Sequence, residues 1–304
     1  MTNRPTPQPA APAATPPADT LSWCAREVRS HDSDRFMVCL LAPPPLREAL
    51  FALHAFNHEI ARTREVVSEA LLGQIRLQWW RQTVGVIFEL NGGGGDPNAL
   101  GHHEVIVPLA AAIANHRLSR AGFERLLDAR EDDLDAAGPE TLDALIAYAR
   151  ESTGALVQLA LEVLAVRDEP TRAAGEAVGT AWSLTGLLRA VPFHAHQRRL
   201  YLPQRLMAQH GVESAQVFAG TRAPGLAAVV REIADTARAQ LSQARSLRHA
   251  VPQAATPVLA LATLADRYLN RLDRAGYDPF HPALHSPLPF RLPHLLWRTF
   301  GHRW

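Results

Sequence analysis

His54 and His58 stand four residues apart. On a helix that spacing puts both imidazoles on one face, where they can supply half of a zinc site. Glu59 follows the second histidine, whereas the zinc-protease arrangement needs a glutamate directly after the first. An ordinary helix-face pair is the competing reading. Four acids, Glu131, Asp132, Asp133 and Asp135, form a second cluster. Wound into a helix they spread over more than one face, which predicts a solvated surface rather than a cation site. His102, His103 and Glu104 follow a glycine-rich loop and read as exposed. That loop, Gly92 to Gly95, lacks the Lys-Ser/Thr of a phosphate cradle, so it reads as a flexible connection. No Gly-x-Ser-x-Gly elbow and no dinucleotide fingerprint is present. Cys24 and Cys39 are too few for a disulfide framework or a four-cysteine zinc site. They read as two reduced thiols of an intracellular protein.

The elements that position these residues read as helices throughout. The chain has 304 residues, 47% of them hydrophobic, which suits one large all-helical unit or two fused bundles. Lysine and arginine number 31 against 30 acids, so bulk charge gives no footprint for nucleic acid. All the fixed cations are arginines. Residues 1–20 are rich in proline, alanine and threonine and are predicted to be a disordered tail. Residues 21–304 are predicted to form one domain. Pro43 to Pro45 start a helix whose apolar face is Leu46, Leu50, Leu53 and Ile60. Ser68 is placed to cap the next helix, with Leu72, Ile75, Trp79 and Val86 as its stripe. A short apolar helix covers Val105 to Asn115, and Ser119 opens another that carries Phe123, Leu126 and Leu127. From Thr141 to Val166, apolar and small residues recur at three and four, predicting one long core helix. Further helices are predicted near 172–190, 224–250 and 256–274, with a proline-rich wrap after Asp278. The N-terminus lacks a signal-peptide pattern, and no apolar run is long enough to span a bilayer. The cytoplasm is therefore the expected location, with peripheral attachment to the inner membrane left open.

Three blocks are more specific. LFALHAFNHEIARTRE covers residues 50–65, GQIRLQWWR covers 73–81, and LLRAVPFHAHQRRLYLP covers 187–203. In this order and separation the chain resembles the squalene/phytoene synthase family from about Leu21 onward. The resemblance implies an all-α isoprenoid synthase bundle around a central cavity. Active members join two prenyl diphosphates head to head, with two aspartate-rich motifs holding magnesium. The departing diphosphate is a polyanion, so clustered cations must neutralise it.

On that resemblance, the aspartate positions of the first motif fall on Ala61, Arg62 and Glu65, and only Glu65 is acidic. The second motif's positions fall on Ala190, Phe193 and His194. A shift of register does not rescue it, since no Asp or Glu lies between Glu176 and Glu213. Arg189, Arg199 and Tyr201 match the family pattern. The motif variant is similar to the subgroup that supports assembly of respiratory complex I (NADH:ubiquinone oxidoreductase). It shares Ala-Phe-Asn-x-Glu at 55–59, Ser68-Glu69 and Asp278-Pro-Phe-His-Pro.

Two functions follow from the resemblance. The favoured one is a degenerate bundle, without a cofactor, that works with complex I subunits or assembly intermediates. In it Asn57, Glu59, Arg62, Glu65, Arg76, Arg189, His194, Arg199 and Tyr201 line a pocket. Arginines there, with Arg64, suit a prenyl diphosphate or phospholipid headgroup, because guanidinium binds phosphate bidentately. The alternative is an active prenyltransferase in which Glu59 and Glu65 hold magnesium. A lipid-binding bundle is a third reading, with Leu71, Leu72, Trp79, Trp80 and Phe88 against chains or membrane. On a helix Trp79 and Trp80 point in different directions, so at most one of them faces the cavity.

Overall fold

The structure is a computed structural model that describes residues 21–67, 69–96, 99–135, 137–221, 223–284 and 286–304. The predicted tail and the Ser68 cap lie outside the described residues. Among the described residues seventeen α-helices and one π-helical segment follow one another, and there is no strand.

The first half comprises α1 (Trp23–His31), α2 (Ser33–Leu41), α3 (Pro44–Ala61), the single turn α4 (Thr63–Val66), α5 (Ala70–Asn91), α6 (Ile106–His116) and α7 (Arg120–Asp132). Next come α8 (Leu142–Ala149), the π segment (Arg150–Gly154), α9 (Ala155–Val163), α10 (Glu169–Arg189) and α11 (Val191–His196). The last part holds α12 (Gln204–Gln209), α13 (Ser214–Phe218), α14 (Leu226–Ser246), α15 (Thr256–Leu259), α16 (Leu261–Arg274) and α17 (Arg291–Phe300).

Local chemistry sets many of these boundaries. Ser22 accepts a hydrogen bond from the Ala25 amide at 3.1 Å and caps α1. Asp32 does the same for α2, accepting from Arg35 N at 2.9 Å. Asp168 caps α10 with Pro170 in its first turn, where proline costs no hydrogen bond. Pro44 starts α3 in the same way.

Two long helices form the centre. α3 buries residues on nearly every side, Phe51, Leu53 and Phe56 among them, and packs against α1, α6 and α9. α10 packs along α14, α9 and α16. Phe56, Trp80 and Phe123 tie α3, α5 and α7 together through edge-to-face contacts at 5.3 and 5.5 Å. One contiguous apolar core joins these layers. No helix among the described residues is long and apolar enough to cross a membrane.

Several expectations need correction. The helix expected over 141–166 runs without a gap from Leu142 to Val163, but its middle is wound as a π segment, a feature that recurs at functional sites. The stripe assigned to α5 is wrong by one residue. Its core face is Leu77, Trp80, Val84 and Ile87. Leu72 and Ile75 are exposed, and Leu71 is 61% exposed. The tryptophan pair divides as expected, with Trp80 fully buried and Trp79 only partly so. The proline-rich C-terminal stretch contains a helix of its own, α17.

Candidate functional site

A cleft of about 510 Å³ opens between α3 and α10. α3 supplies Asn57 and Ala61, the π segment supplies Ser152 and Thr153, and α10 supplies Gly186 and Arg189. Of the residues expected to line a pocket, the structure places four here: Asn57, Glu65, Arg189 and His194. It sends the other five elsewhere.

Glu59, Arg62 and Arg76 form a separate cluster. Glu59 points away from the cleft with its side chain 3% exposed, 2.6 Å from Arg76 and 3.5 Å from Arg62. His103 completes the group at 3.4 Å, so it is half-buried rather than exposed as expected. Glu59 and Glu65 therefore cannot share a metal across one wall. Arg64 turns to the Val67 carbonyl.

Arg199 and Tyr201 belong to a third cluster, around Asp133. The Asp133 carboxylate accepts from Tyr201 OH at 2.7 Å, Tyr148 OH at 2.8 Å and Arg130 Nη1 at 3.0 Å. Arg199 donates to the Asp133 carbonyl and, at 3.0 Å, to Tyr201 OH. The acidic run was read as solvated, yet Asp133 is buried. Its fellow Asp132 is exposed. Burial pushes the Tyr148 and Tyr201 phenols up, and the Asp133 charge adds to that. Both tyrosines stay protonated and act as donors. Tyr148 also separates the cleft from a smaller cavity of about 240 Å³ on the side of Arg199 and Tyr201.

The cations at the cleft all have partners. Arg35 pairs with Asp32 at 2.6 Å. Burial opposes the Asp32 charge, but the Arg35 guanidinium and amide outweigh it and hold that carboxyl below its ordinary range. Arg130, tied to Asp133, also reaches Asn57 Oδ1 at 3.4 Å. Arg189 lies 3.5 Å above the centre of the Tyr268 ring and 3.6 Å from Asp34. Asp34 in turn accepts from Tyr268 OH and Arg291 Nη1, each at 2.7 Å. Sequence reasoning missed Asp34, Arg35, Arg130 and Asp133. Arg35 and Arg130 have an acid three residues away, which reads as an ordinary helix ion pair, while the further partners of Asp34 and Asp133 are remote in sequence and no local spacing announces them.

The histidines expected to pair diverge. His54 is buried, and its Nδ1 has no hydrogen-bond partner. Burial, aided by Arg35, lowers its pKa to about 3. His58 instead stacks on His31, with ring centres 4.2 Å apart. His194 is brought down to about 4 by burial and then by Arg199, so it is a neutral imidazole.

Magnesium does not fit this donor set. It needs several hard oxygens in near-octahedral array. Ala61 and Ala190 offer no ligand atom, and neutral His194 is a poor magnesium ligand. Asp32 is engaged by Arg35, which leaves Glu65 as the one carboxylate lining the cleft without a described ion pair. No chemical step is therefore assigned to a metal–diphosphate cluster here.

An all-α bundle with a cleft between two long helices, one bordering a π segment, defines the isoprenoid-synthase type. Solved structures agree on the fold. A dehydrosqualene synthase in complex with ligand superposes with a TM-score of 0.77 at 18% identity, covering 92% of this chain and 95% of that one. The squalene synthase HpnC from Alicyclobacillus acidocaldarius gives 0.71 at 21% identity, covering 84% and 93%. The squalene/phytoene synthase model matches residues 28–298, and the chain belongs to that family. Among its relatives, the NADH dehydrogenase (ubiquinone) complex I, assembly factor 6 of Mus musculus is 32% identical over 279 residues, 91% of this chain and 81% of the relative. The 15-cis-phytoene synthase of Synechococcus elongatus is 25% identical over 268 residues, 83% of each.

Proposed function

We propose that this chain is a family member without metal-assisted prenyl coupling that serves in the assembly of respiratory complex I. The observation that carries the first half is the absence of carboxylates at Ala61, Ala190 and His194, in a cleft otherwise lined by polar and charged side chains such as Arg35, Asn57, Arg130 and Arg189. The relatives named for complex I assembly support the second half. The cleft serves as a binding pocket. Its arginines, each already paired within the protein, would share their remaining N–H donors with a phosphate-bearing ligand, a prenyl diphosphate or a phospholipid headgroup.

The working location is the inner face of the membrane that carries complex I. Phe290, Trp297 and Phe300 are 80%, 65% and 86% exposed at α17, beside Arg298 and Arg303. Aromatic side chains among arginines suit an anionic lipid surface.

Purified protein is incubated with farnesyl or geranylgeranyl diphosphate, with and without magnesium. No diphosphate release is expected from folded protein, and release with a coupled hydrocarbon would restore the prenyltransferase reading. Deleting the gene in its own host is expected to lower NADH:ubiquinone oxidoreductase activity of membranes while succinate oxidation holds. Equal loss of both would refute the assembly role. Flotation with vesicles containing phosphatidylglycerol is expected for the wild type and reduced for Trp297→Ser with Phe300→Ser. Equal flotation of both proteins would remove α17 from the lipid-facing surface.

A further inference from the structure

At the mouth of the cleft, α1 and α3 bring Glu27, His31 and His58 together. One ligand atom from each lies within 4.8 Å of the other two. Glu27 and His31 are one turn apart on α1, and His31 Nδ1 is 3.4 Å from Glu27 Oε2. The His31 and His58 rings stack with an interplanar angle of 26°. His58 Nε2 is buried and has no hydrogen-bond partner.

That arrangement is poor for two imidazolium ions and good for two neutral rings. Burial lowers the His58 pKa first, and the nearby His31 and Arg62 charges lower it further against Glu59 and Glu27. Neutral imidazole is the form that ligates a metal. Among the described residues His31 Nδ1 meets Ser30 Oγ at 2.9 Å and the Glu27 carbonyl at 3.1 Å, in addition to the Glu27 carboxylate. Both competing contacts come from its own helix, and the His31 side chain is 44% exposed, so it is free to turn toward an ion.

We propose that Glu27, His31 and His58 form a site for a zinc-type divalent transition metal at the mouth of the cleft. Two nitrogens and one carboxylate oxygen match zinc, cobalt, nickel or copper and not magnesium. Bonds of about 2.0–2.1 Å bring tetrahedral ligand atoms to roughly 3.3 Å from one another, so the side chains close in slightly on binding. Three protein ligands leave a fourth position open. His31 and His58 both line the cleft, so that position faces it. An anionic group held in the cleft can fill it, and the ion supplies positive charge from an element other than the two vanished aspartate motifs. The site rests on α1 and α3 alone and stands whether or not the chain acts in complex I assembly.

The test uses the full chain, untagged and stripped of metal. Zinc is titrated and counted after equilibrium dialysis, and cobalt is followed by its visible absorption. One zinc per chain and a four-coordinate cobalt spectrum are expected. Glu27→Gln, His31→Ala and His58→Ala are each expected to weaken binding by at least the roughly tenfold that even a supporting contact is worth. His249→Ala, exposed and distant in sequence, is expected to bind normally. Glu27→Gln and His31→Ala change partly exposed residues, so they read the site even if His58→Ala folds poorly. Zinc bound at less than one per chain, or equally by Glu27→Gln, His31→Ala and the wild type, would overturn the proposal.

Discussion

Tyr201 donates its hydroxyl to the Asp133 carboxylate at 2.7 Å, across 68 residues of sequence. The same carboxylate holds Tyr148 and Arg130, so one buried acid fastens the end of α7 to α8 and to the loop after α11. Asp133→Asn leaves the Arg130 guanidinium buried without its counter-charge. It is expected to cost about 3–5 kcal/mol of stability by denaturant titration. Asp132→Asn, its exposed neighbour, is expected to change stability by less than about 0.5 kcal/mol. Equal effects would return the whole run to a solvated surface.

Glu59 and Glu65 provide a second contrast. Glu59→Gln removes the charge that Arg76 and Arg62 share, with an expected loss of about 1.5–3 kcal/mol. Glu65→Gln changes an exposed residue and is expected to be near neutral in thermal melting. A large loss from Glu65→Gln would mean that Glu65 has a buried partner.

Glycines on α10 separate packing from the cleft. A Cβ on Gly179 would lie 2.7 Å from Gly154 Cα and 2.8 Å from the Thr153 carbonyl oxygen, both backbone. Gly179→Ala is therefore expected to cost about 3 kcal/mol or more. At Gly186 a Cβ meets nothing within 4 Å, and that residue lines the cleft. Gly186→Ala is expected to raise stability by about 1 kcal/mol through helix propensity alone. Thermal denaturation of the two variants decides both.

Acid sensitivity follows from the buried histidines. His54 and His194 fall from 6.5 in the unfolded chain to about 3 and about 4 in the fold. Below pH 6.5 the unfolded chain binds protons that the folded chain refuses, so stability is full above 6.5 and drops as pH falls toward 4. His194→Gln is expected to flatten the fall in melting temperature between pH 6.5 and 4.5, an interval inside that window. An unchanged slope would show that the imidazole is already solvated.

Prolines, the recurrence of apolar residues at three and four, and the three sequence blocks made the helical bundle and its family legible. What escaped is physically instructive. α5 carries apolar residues on more than one face, Leu71, Leu72 and Ile75 as well as Leu77, Trp80 and Val84, so periodicity alone leaves its phase undetermined. Asp133 looks like its acidic neighbours until Tyr148 and Tyr201 arrive from other elements. Of the nine expected pocket residues, the four at the cleft lie on or next to α3 and α10. Glu59 sits on α3 too, but two residues after Asn57 the helix has turned it to the opposite side. His31 was silent because its partner, His58, belongs to another helix.

The π segment is also a device of phase. Each residue of an α-helix advances the chain by about 100°, and a wider turn absorbs a residue without that advance. α8 and α9 can thus share one axis while reading their apolar faces in different frames. Leu145 and Ala149 on one side and Leu156, Leu159 and Ala160 on the other all reach the core. Removing one residue between Arg150 and Gly154 would rotate the α9 face by about 100°. In this chain the length of five residues, rather than their chemistry, sets which way a whole helix looks.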